Sequence, residues 1–338
     1  MSTKQIRLSV LDQSPVRKGV PAEQAIQETS ELARYTDQLG YTRFWVSEHH
    51  NTGSLAGSTP EVLLAYLGSQ TKNIRIGSGG VMMPNHSALK VAENFRMLEA
   101  LFPGRVDLGM GRAPGTDRLT AAMLNPSNQF REQDFVNQLY DLNNYFHDRG
   151  EPGTPLSKIR AIPQIQTVPD MWLLSSSGES GLFAAHFGMG LSFAHFINPI
   201  GGPEAVARYR ERFKPSEDRA ESAASVAIFV FCSEDEEKIR QHQALMEFRF
   251  NQLEQGNGIL PVTYEDIKDI DYTVYELERM IHHRKRMITG KPAEIKQKLI
   301  KLANDYDVDE IIAVTIAEDF DDRLKSYQYL AKQFDLGK

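Results

Sequence analysis

Residues 104–117, GRVDLGMGRAPGTD, contain the clearest strand pattern in the chain. Apolar residues recur at every second position, as in a strand with one buried face: Val106, Leu108 and Met110. Gly109 and Gly111 lie on the other face, and Arg112 follows where the strand ends. Because glycine weakens a strand interior, the pair indicates either a flat anionic ligand or a tightly packed strand whose Arg112 meets a carboxylate. These residues alone favour the packed strand.

Seven further segments repeat the strand pattern, and almost every one is followed by a helical pattern. These strands are predicted at residues 6–12, 43–47, 74–81, 171–175, 190–196, 225–232 and 310–315. The first helix begins at Pro21 and ends at Gly40, where proline and glycine are expected. Strands that alternate with helices pair in parallel through right-handed crossovers. Eight such units predict an α/β fold, a closed (β/α)8 or TIM barrel.

One connection is too long for a simple barrel. Residues 233–290, between the seventh and eighth predicted strands, have a helical pattern with Leu245, Phe248 and Leu253 as its apolar residues. Connections of this length in compact domains are functional or separately folded. We therefore expect one barrel domain over residues 1–338, with residues 233–290 as an insertion that forms a lid over the barrel mouth. Residues 113–127 are predicted to be a long loop.

Composition places the chain among ordinary globular proteins. Of its 338 residues, 25% are charged and 41% are hydrophobic, and the net charge is −7 without a basic block. This argues against nucleic acid and anionic membranes as partners. Apolar runs are too short to span a bilayer, and the N-terminus lacks the apolar core of a signal peptide. Cys232 is the single cysteine, which fits a reducing compartment, and we expect a cytoplasmic protein.

The turn after the fifth strand is the best candidate for binding an anion. Active sites of such barrels lie at the C-terminal ends of the strands. The sequence there is SSSGES, and its hydroxyls and backbone amides precede a helix, where free N–H groups favour phosphate. The candidate ligands are Ser176, Ser177, Gly178 and Ser180, with Arg112 from the adjacent strand as a cation. The alternative, that Ser177 or Ser180 only caps the helix, stays open.

Glu48, His49 and His50 follow the second strand. Neighbouring strand residues point to opposite faces, so the two histidines are not expected to converge on one metal ion. We therefore expect no metal site and place a proton-handling role above it. A histidine at a strand end can serve as general acid or base. At least one of the pair is expected to be purely structural.

Glycines near the ends of the third and fourth strands are the third clue. They are Gly77, Gly79, Gly80, Gly109 and Gly111. Their missing side chains would clear a slot for a planar ring system whose phosphate tail reaches the turn after the fifth strand. The alternative is a layer of small residues packed against bulkier neighbours. The chain has no Walker-type lysine loop, and its glycines do not follow the dinucleotide-binding pattern.

Together these motifs resemble the bacterial luciferase-like, flavin-dependent monooxygenase family, which includes the alkanal monooxygenase chains. The resemblance rests on FWVSEHHN at 44–51, IGSGGVMMPNHSALKVAE at 76–93, GRVDLGMGRAPG at 104–115, SSSGESG at 175–181 and ITGKPAEIKQKL at 288–299. It covers nearly the whole barrel and is weakest over residues 233–290. It implies a (β/α)8 barrel that binds reduced FMN at its mouth.

The resemblance also implies roles for individual residues. His49 matches the histidine that acts near the flavin. Arg112, Ser177 and Ser180 match the residues that hold the FMN phosphate. The pair that matches Gly79 and Gly80 often carries a non-proline cis peptide beside the flavin ring. The phosphate turn here contains only serine hydroxyls, where luciferases mix serine and threonine.

The resulting expectation is a two-component monooxygenase. A separate flavin reductase would supply FMNH2, and the protein would use it with O2 to oxygenate a small organic substrate. The resemblance also implies a homodimer formed through helices near the second and third strands. Two alternatives are kept: a flavin-binding protein without turnover, and a deazaflavin-dependent dehydrogenase on the same barrel. A metal hydrolase ranks behind both. The sequence does not identify the substrate, because fold does not determine it.

Overall fold

Eight parallel strands close into a barrel in this computed structural model, which describes residues 5–127, 129, 131–150, 152–258 and 260–337. The described strands, all of which except β8 form the barrel, are β1 (Arg7–Asp12), β2 (Arg43–Val46), β3 (Arg75–Met82), β4 (Val106–Gly111), β5 (Asp170–Ser175), β6 (Gly190–Ala194), β7 (Ala224–Cys232), β8 (Met287–Gly290) and β9 (Glu310–Val314). Neighbours pair in sequence order from β1 to β7, and β9 closes the barrel between β7 and β1. The predicted (β/α)8 barrel is confirmed.

Helices surround the barrel and also build the insertion. They are α1 (Ala22–Gln38), α2 (Pro60–Gln70), α3 (Ala88–Leu101), α4 (Arg118–Leu124), α5 (Glu132–Phe146), α6 (Glu179–Phe187), α7 (Gly202–Arg212), α8 (Glu236–Glu254), α9 (Tyr264–Ile267), α10 (Val274–His283), α11 (Pro292–Asp305) and α12 (Phe320–Gln333). Across the described part of the chain, no helix is both long and apolar enough to cross a membrane.

Two segments differ from the sequence-based prediction. Residues 113–127 are not all loop, because α4 forms there with Asp117 as its cap, whose carboxylate accepts from the Thr120 amide at 2.9 Å. The helix is only seven residues long, too short to show a period. The insertion ends in β8, which pairs only with the second half of β7 and is not one of the barrel strands. Four residues, MITG, are likewise too few to show a strand pattern.

The alternation in β4 separates two cores, as its pattern predicts. Val106, Leu108 and Met110 belong to the core between the strands and the surrounding helices. The barrel interior holds a smaller apolar cluster that includes Trp45 and Trp172, whose rings meet edge to face at 5.7 Å. Burial of these two apolar sets is the main force that holds strands and helices together.

Asp107, on the interior face of β4, belongs to a charged cluster at the N-terminal end of the barrel. Its carboxylate accepts from Arg43 Nη1 at 2.9 Å and from the Trp45 indole at 2.8 Å. Arg43 also donates to Glu310 at 2.7 Å. Burial opposes the charge of Arg43, but the two carboxylates raise its pKa above the usual value. The cluster satisfies buried charges at the end of the barrel away from the strand C-termini.

Helix α8 of the insertion covers part of the barrel interior at the C-terminal side. Its Met246 and Phe250 belong to the interior cluster together with Phe229 of β7 and Val314 of β9. The Phe229 and Phe250 rings lie 5.6 Å apart. The insertion therefore packs directly against the residues that line the barrel.

Candidate active site

The glycines of β3 and β4 do not leave an open slot, and that interpretation is wrong. A Cβ at Gly77 would lie 2.6 Å from Cβ of Asp107, and one at Gly109 would lie 2.1 Å from the Ser78 carbonyl oxygen. At Gly79 it would meet Leu11 at 2.8 Å. The missing side chains allow neighbouring strands and interior side chains to approach closely.

The same holds for the two glycines nearest the mouth. A Cβ at Gly80 would lie 2.7 Å from the Gly109 carbonyl oxygen, and at Gly111 it would lie 2.8 Å from the Met82 sulfur. The Gly79–Gly80 peptide bond is cis, as the resemblance implied. Contact of Gly79, Gly80 and Gly111 with a cofactor stays a prediction, and such a contact would involve their backbone.

The turn between β5 and α6 has free backbone donors. The helix begins after Gly178, and no side chain of the described residues caps it. This contradicts the alternative that Ser177 or Ser180 serves only as a cap. Ser177 is exposed, Ser176 is partly exposed and Ser180 is buried in the first turn of α6. Ser175 holds the turn, since its hydroxyl accepts from the Ser177 amide at 3.2 Å. Uncapped N–H groups at a helix start favour an anion.

Arg112 reaches this turn from the end of β4. Its Nη2 lies 2.6 Å from Oε2 of Glu179, the first residue of α6. The side chains are 33% and 64% exposed, so water and other anions have access to the pair. The structure therefore brings together Arg112 and the serine turn.

A second cation at the turn was missed from the sequence. A Cβ at Gly178 would lie 2.7 Å from Nη2 of Arg208, which places this guanidinium against the turn. Arg208 lies on the exposed face of α7, beyond α6 and β6 along the chain. Its sequence context is an ordinary charged helix face, so no local signal marks it.

Glu48 and His50 have a structural role. The buried Glu48 carboxylate accepts from the Met82 amide at 2.8 Å and contacts Nε2 of both His50 and His86 at 2.9 Å. Burial opposes its ionisation, but the hydrogen bonds from His86 and His50 hold the pKa of Glu48 below its usual value. The ionised carboxylate thus ties the end of β2 to the loop after β3.

His49 points elsewhere, as strand alternation predicts. The Gln13 amide nitrogen, which can only donate, lies 3.4 Å from its Nε2, and the Gly115 backbone lies against the ring. Nε2 is therefore the unprotonated nitrogen that accepts from Gln13. Burial lowers the pKa of His49, although the Gly115 contact and Glu48 oppose the shift. His49 is neutral at pH 7 and is held between the end of β1 and the loop after β4.

Other polar residues at the strand ends are occupied. Asp12 is fully buried and accepts from Arg323 Nη2 at 2.7 Å. His195 lies 2.8 Å from the Tyr306 hydroxyl. Asn198 supports the anion turn, because its Nδ2 donates to the Ser176 carbonyl at 3.0 Å.

The fold and site together define a (β/α)8 barrel with an uncapped helix start beside Arg112 and a neutral histidine at its mouth. The family model for luciferase-like monooxygenases matches residues 6–307. The chain is 46% identical to the uncharacterized protein YwcH of Bacillus subtilis, over 97% of this chain and 99% of that protein. It is 35% identical to the N-acetyl-S-alkylcysteine monooxygenase of Bacillus subtilis, over 96% of this chain and 97% of that protein.

Among solved structures, apo-MsnO8 superposes with a TM-score of 0.88 at 32% identity, covering 99% of both chains. This chain belongs to the luciferase-like monooxygenase family, and the resemblance stated from its motifs is confirmed.

Proposed function

We propose that this protein is a two-component monooxygenase that uses FMNH2 and O2 on a small organic substrate. The observation that carries the proposal is the pairing of an anion site, formed by Arg112 and the turn before α6, with the neutral His49 at the same mouth. A cofactor with a phosphate tail and a reactive ring needs both features. Reduced FMN would supply the activation of O2 for transfer of an oxygen atom.

The residues at the turn fit a phosphate. Arg112 would exchange Glu179 for the phosphate, and Arg208 would add a second positive charge. The backbone amides after Gly178 and the hydroxyls of Ser176, Ser177 and Ser180 would supply further donors. The cofactor ring would then extend over the ends of β3 and β4, toward Gly79, Gly80 and Gly111.

His49 would hold or move a proton at Nε2. Because the Gln13 amide nitrogen can only donate to this atom, the imidazole is held in one tautomer. The Gln13 contact is long, at 3.4 Å, so Nε2 of the neutral ring can accept a proton or a hydrogen bond from the reacting groups when Gln13 gives way. His50 is less suited to this role, since its Nε2 lies 2.9 Å from the buried Glu48 carboxylate.

Helix α8 would keep water from the reacting groups. Its Met246 and Phe250 already close one side of the barrel interior. Exclusion of water favours oxygen transfer over loss of the oxidant. We propose that residues 233–290 act as the lid of this site.

The reduced cofactor would come from a separate flavin reductase. All strands in the described part of the chain belong to one sheet, which consists of the eight barrel strands and β8. A nicotinamide-binding sheet is therefore not found among these residues. We propose a cytoplasmic protein, where both the reductase and reduced nicotinamide are at hand.

A homodimer would bury an apolar surface on α2 and α3. These neighbouring helices expose Val62, Tyr66, Met97 and Leu101. Exposed apolar groups of this kind mark association surfaces. Light scattering with multi-angle detection would give the mass of a dimer if the proposal holds, and of a monomer if it does not.

The test of the proposed function separates the cofactor from the chemistry. Fluorescence titration with FMN and with a deazaflavin cofactor should show binding of FMN in preference. With a flavin reductase, NADH and isotopically labelled O2, N-acetyl-S-alkylcysteines are the first substrates to try, because a relative of the chain acts on them. Labelled oxygen in the product is the expected result.

Other outcomes would overturn the proposal in distinct ways. FMN binding without oxygen consumption on any substrate would favour a flavin-binding protein. Hydride transfer from a reduced deazaflavin, with no labelled product, would favour the dehydrogenase.

A further inference from the structure

A cavity of about 260 Å³ lies between α8 and the ends of β7 and β9. It is lined by Phe231, Leu245, Arg249, Ile316 and Ala317 together with polar groups. Arg249 lies on α8 between Met246 and Phe250, the two residues that enter the barrel interior. Phe231 is near the end of β7, and Ile316 and Ala317 follow β9, so the cavity lies at the C-terminal ends of the strands, as does His49 after β2.

Most polar groups of the cavity wall already have partners. Lys238 contacts both oxygens of Asp322 at 2.6 Å. Asp319 caps α12, and the Glu318 carboxylate accepts from the Tyr264 amide at 3.0 Å. These interactions leave little capacity for a ligand at the outer part of the cavity.

Arg249 is the exception. Its Nε is buried and has no hydrogen-bond partner, and Nη1 is 4.0 Å from the Met246 sulfur, a weak acceptor. Among the described residues, no carboxylate lies within ion-pair distance of it. Burial lowers the pKa of Arg249 to about 10, an effect that Glu318 only partly offsets. The guanidinium is still charged at pH 7, and although the side chain is only partly buried, its buried Nε without a partner is costly.

The neighbouring histidine offers no competing charge. His242 stacks on Phe231 at 4.1 Å, and its Nε2 lies 3.0 Å from the Ile316 carbonyl. Burial, assisted by Arg249, lowers the pKa of His242 to about 3. Its Nδ1 is an unprotonated acceptor that also lacks a partner.

We propose that Arg249 binds the carboxylate of the substrate, so that this enzyme acts on small organic acids. A planar carboxylate matches the guanidinium fork and satisfies the donor that the protein leaves unpaired. A dianionic phosphate suits the cavity less well, since Glu318, Asp319 and Asp322 line the same wall. The inference rests on the proposed function, because it assigns the substrate class of that site.

The test compares acids with their primary amides, which have almost the same shape and no charge. The probes are N-acetyl-S-methylcysteine and hexanoate, each with its amide, titrated calorimetrically into the wild-type protein saturated with FMN. Wild type should bind the acids more tightly than the amides. Arg249→Gln should weaken acid binding by about 10-fold or more and leave amide binding unchanged, whereas Arg249→Lys should retain part of the preference.

Arg240→Gln is the matched control, because it removes the same group from the exposed face of α8, where Arg240 pairs with Glu237. It should bind acids as wild type does. Equal binding of acid and amide by wild type, no binding of either acid, or an unchanged preference in Arg249→Gln would overturn the assignment. FMN affinity, measured separately by fluorescence, reports on the proposed function. If the wild-type protein does not bind FMN, that proposal is overturned, and the preference for acids over amides can still be measured in the apo protein.

Discussion

Two arginines lie on different sides of the barrel mouth and have opposite surroundings. Arg112 ends β4, is one-third exposed and pairs with the exposed Glu179. Arg249 lies on α8 with a buried, unpartnered Nε and no carboxylate partner among the described residues. Exposed ion pairs contribute only about 0–1 kcal/mol, so Arg112 can change partner at little cost. Arg249 has no partner to lose, and an arriving anion would relieve an unpaired charge.

This difference suggests a division of labour at the mouth. The exposed Arg112 would suit a cofactor that enters and leaves, because Glu179 neutralises its charge when no cofactor is bound. The buried cation would suit selection of substrate, because a ligand without a negative charge leaves it unpaired. His49 lies at the end of β2, at the same mouth as both regions.

Replacement of His49 should have the largest effect on turnover, because it removes the proton-handling group and leaves Arg112 and Arg249 in place. His49→Gln is expected to lower kcat roughly 10²- to 10⁴-fold while FMN affinity and acid preference remain. Stopped-flow turnover with supplied FMNH2 measures the rate, and fluorescence titration measures the affinity.

His50→Gln is the matched control, since His50 contacts Glu48 and not the mouth. The His50→Gln substitution should lower the thermal stability of the protein and change kcat little. Because burial lowers the pKa of His49, the acid limb of kcat/KM should lie below pH 6.5 and should vanish in His49→Gln. A limb that persists in that variant would remove the assignment.

Removal of Arg112 should separate the two arginines. Arg112→Gln is expected to weaken FMN binding roughly 10- to 100-fold, the cost of a charge-assisted hydrogen bond to phosphate. Acid preference should be unaffected, and Arg249→Gln should give the reverse pattern. Flavin fluorescence titration and calorimetry on both variants provide the measurement. Equal loss of FMN affinity in both variants would contradict the division.

The smallest effect is expected at Glu179. Glu179→Gln frees Arg112 and removes a negative charge from the start of α6, so FMN should bind about 2- to 3-fold more tightly. Added salt should reduce the gain, because exposed charges are screened. Weaker binding in this variant would show that Glu179 positions Arg112 for the phosphate and does not compete with it.

Periodicity was sufficient for the barrel, because each strand buries one face against helices and repeats the same local pattern. That Arg112 lies beside the turn of Ser176, Ser177 and Gly178 could be predicted because strand ends and helix starts are visible locally; their contact with a cofactor stays a prediction. The glycine slot was wrong for a different reason. Whether a missing Cβ leaves space depends on the neighbouring strand, and Ser78 and Met82 fill the space beside Gly109 and Gly111.

Sequence by itself determined the (β/α)8 barrel, the family and the turn before α6, since all three depend on local period, helix-end chemistry and short motifs. Only the tertiary structure decided that His50 belongs to Glu48 while His49 faces Gln13. Only the tertiary structure placed Arg208 against the turn between β5 and α6 and left the Nε of Arg249 without a partner. Charge pairing and burial depend on contacts between residues from distant parts of the chain, and local sequence patterns do not predict those contacts.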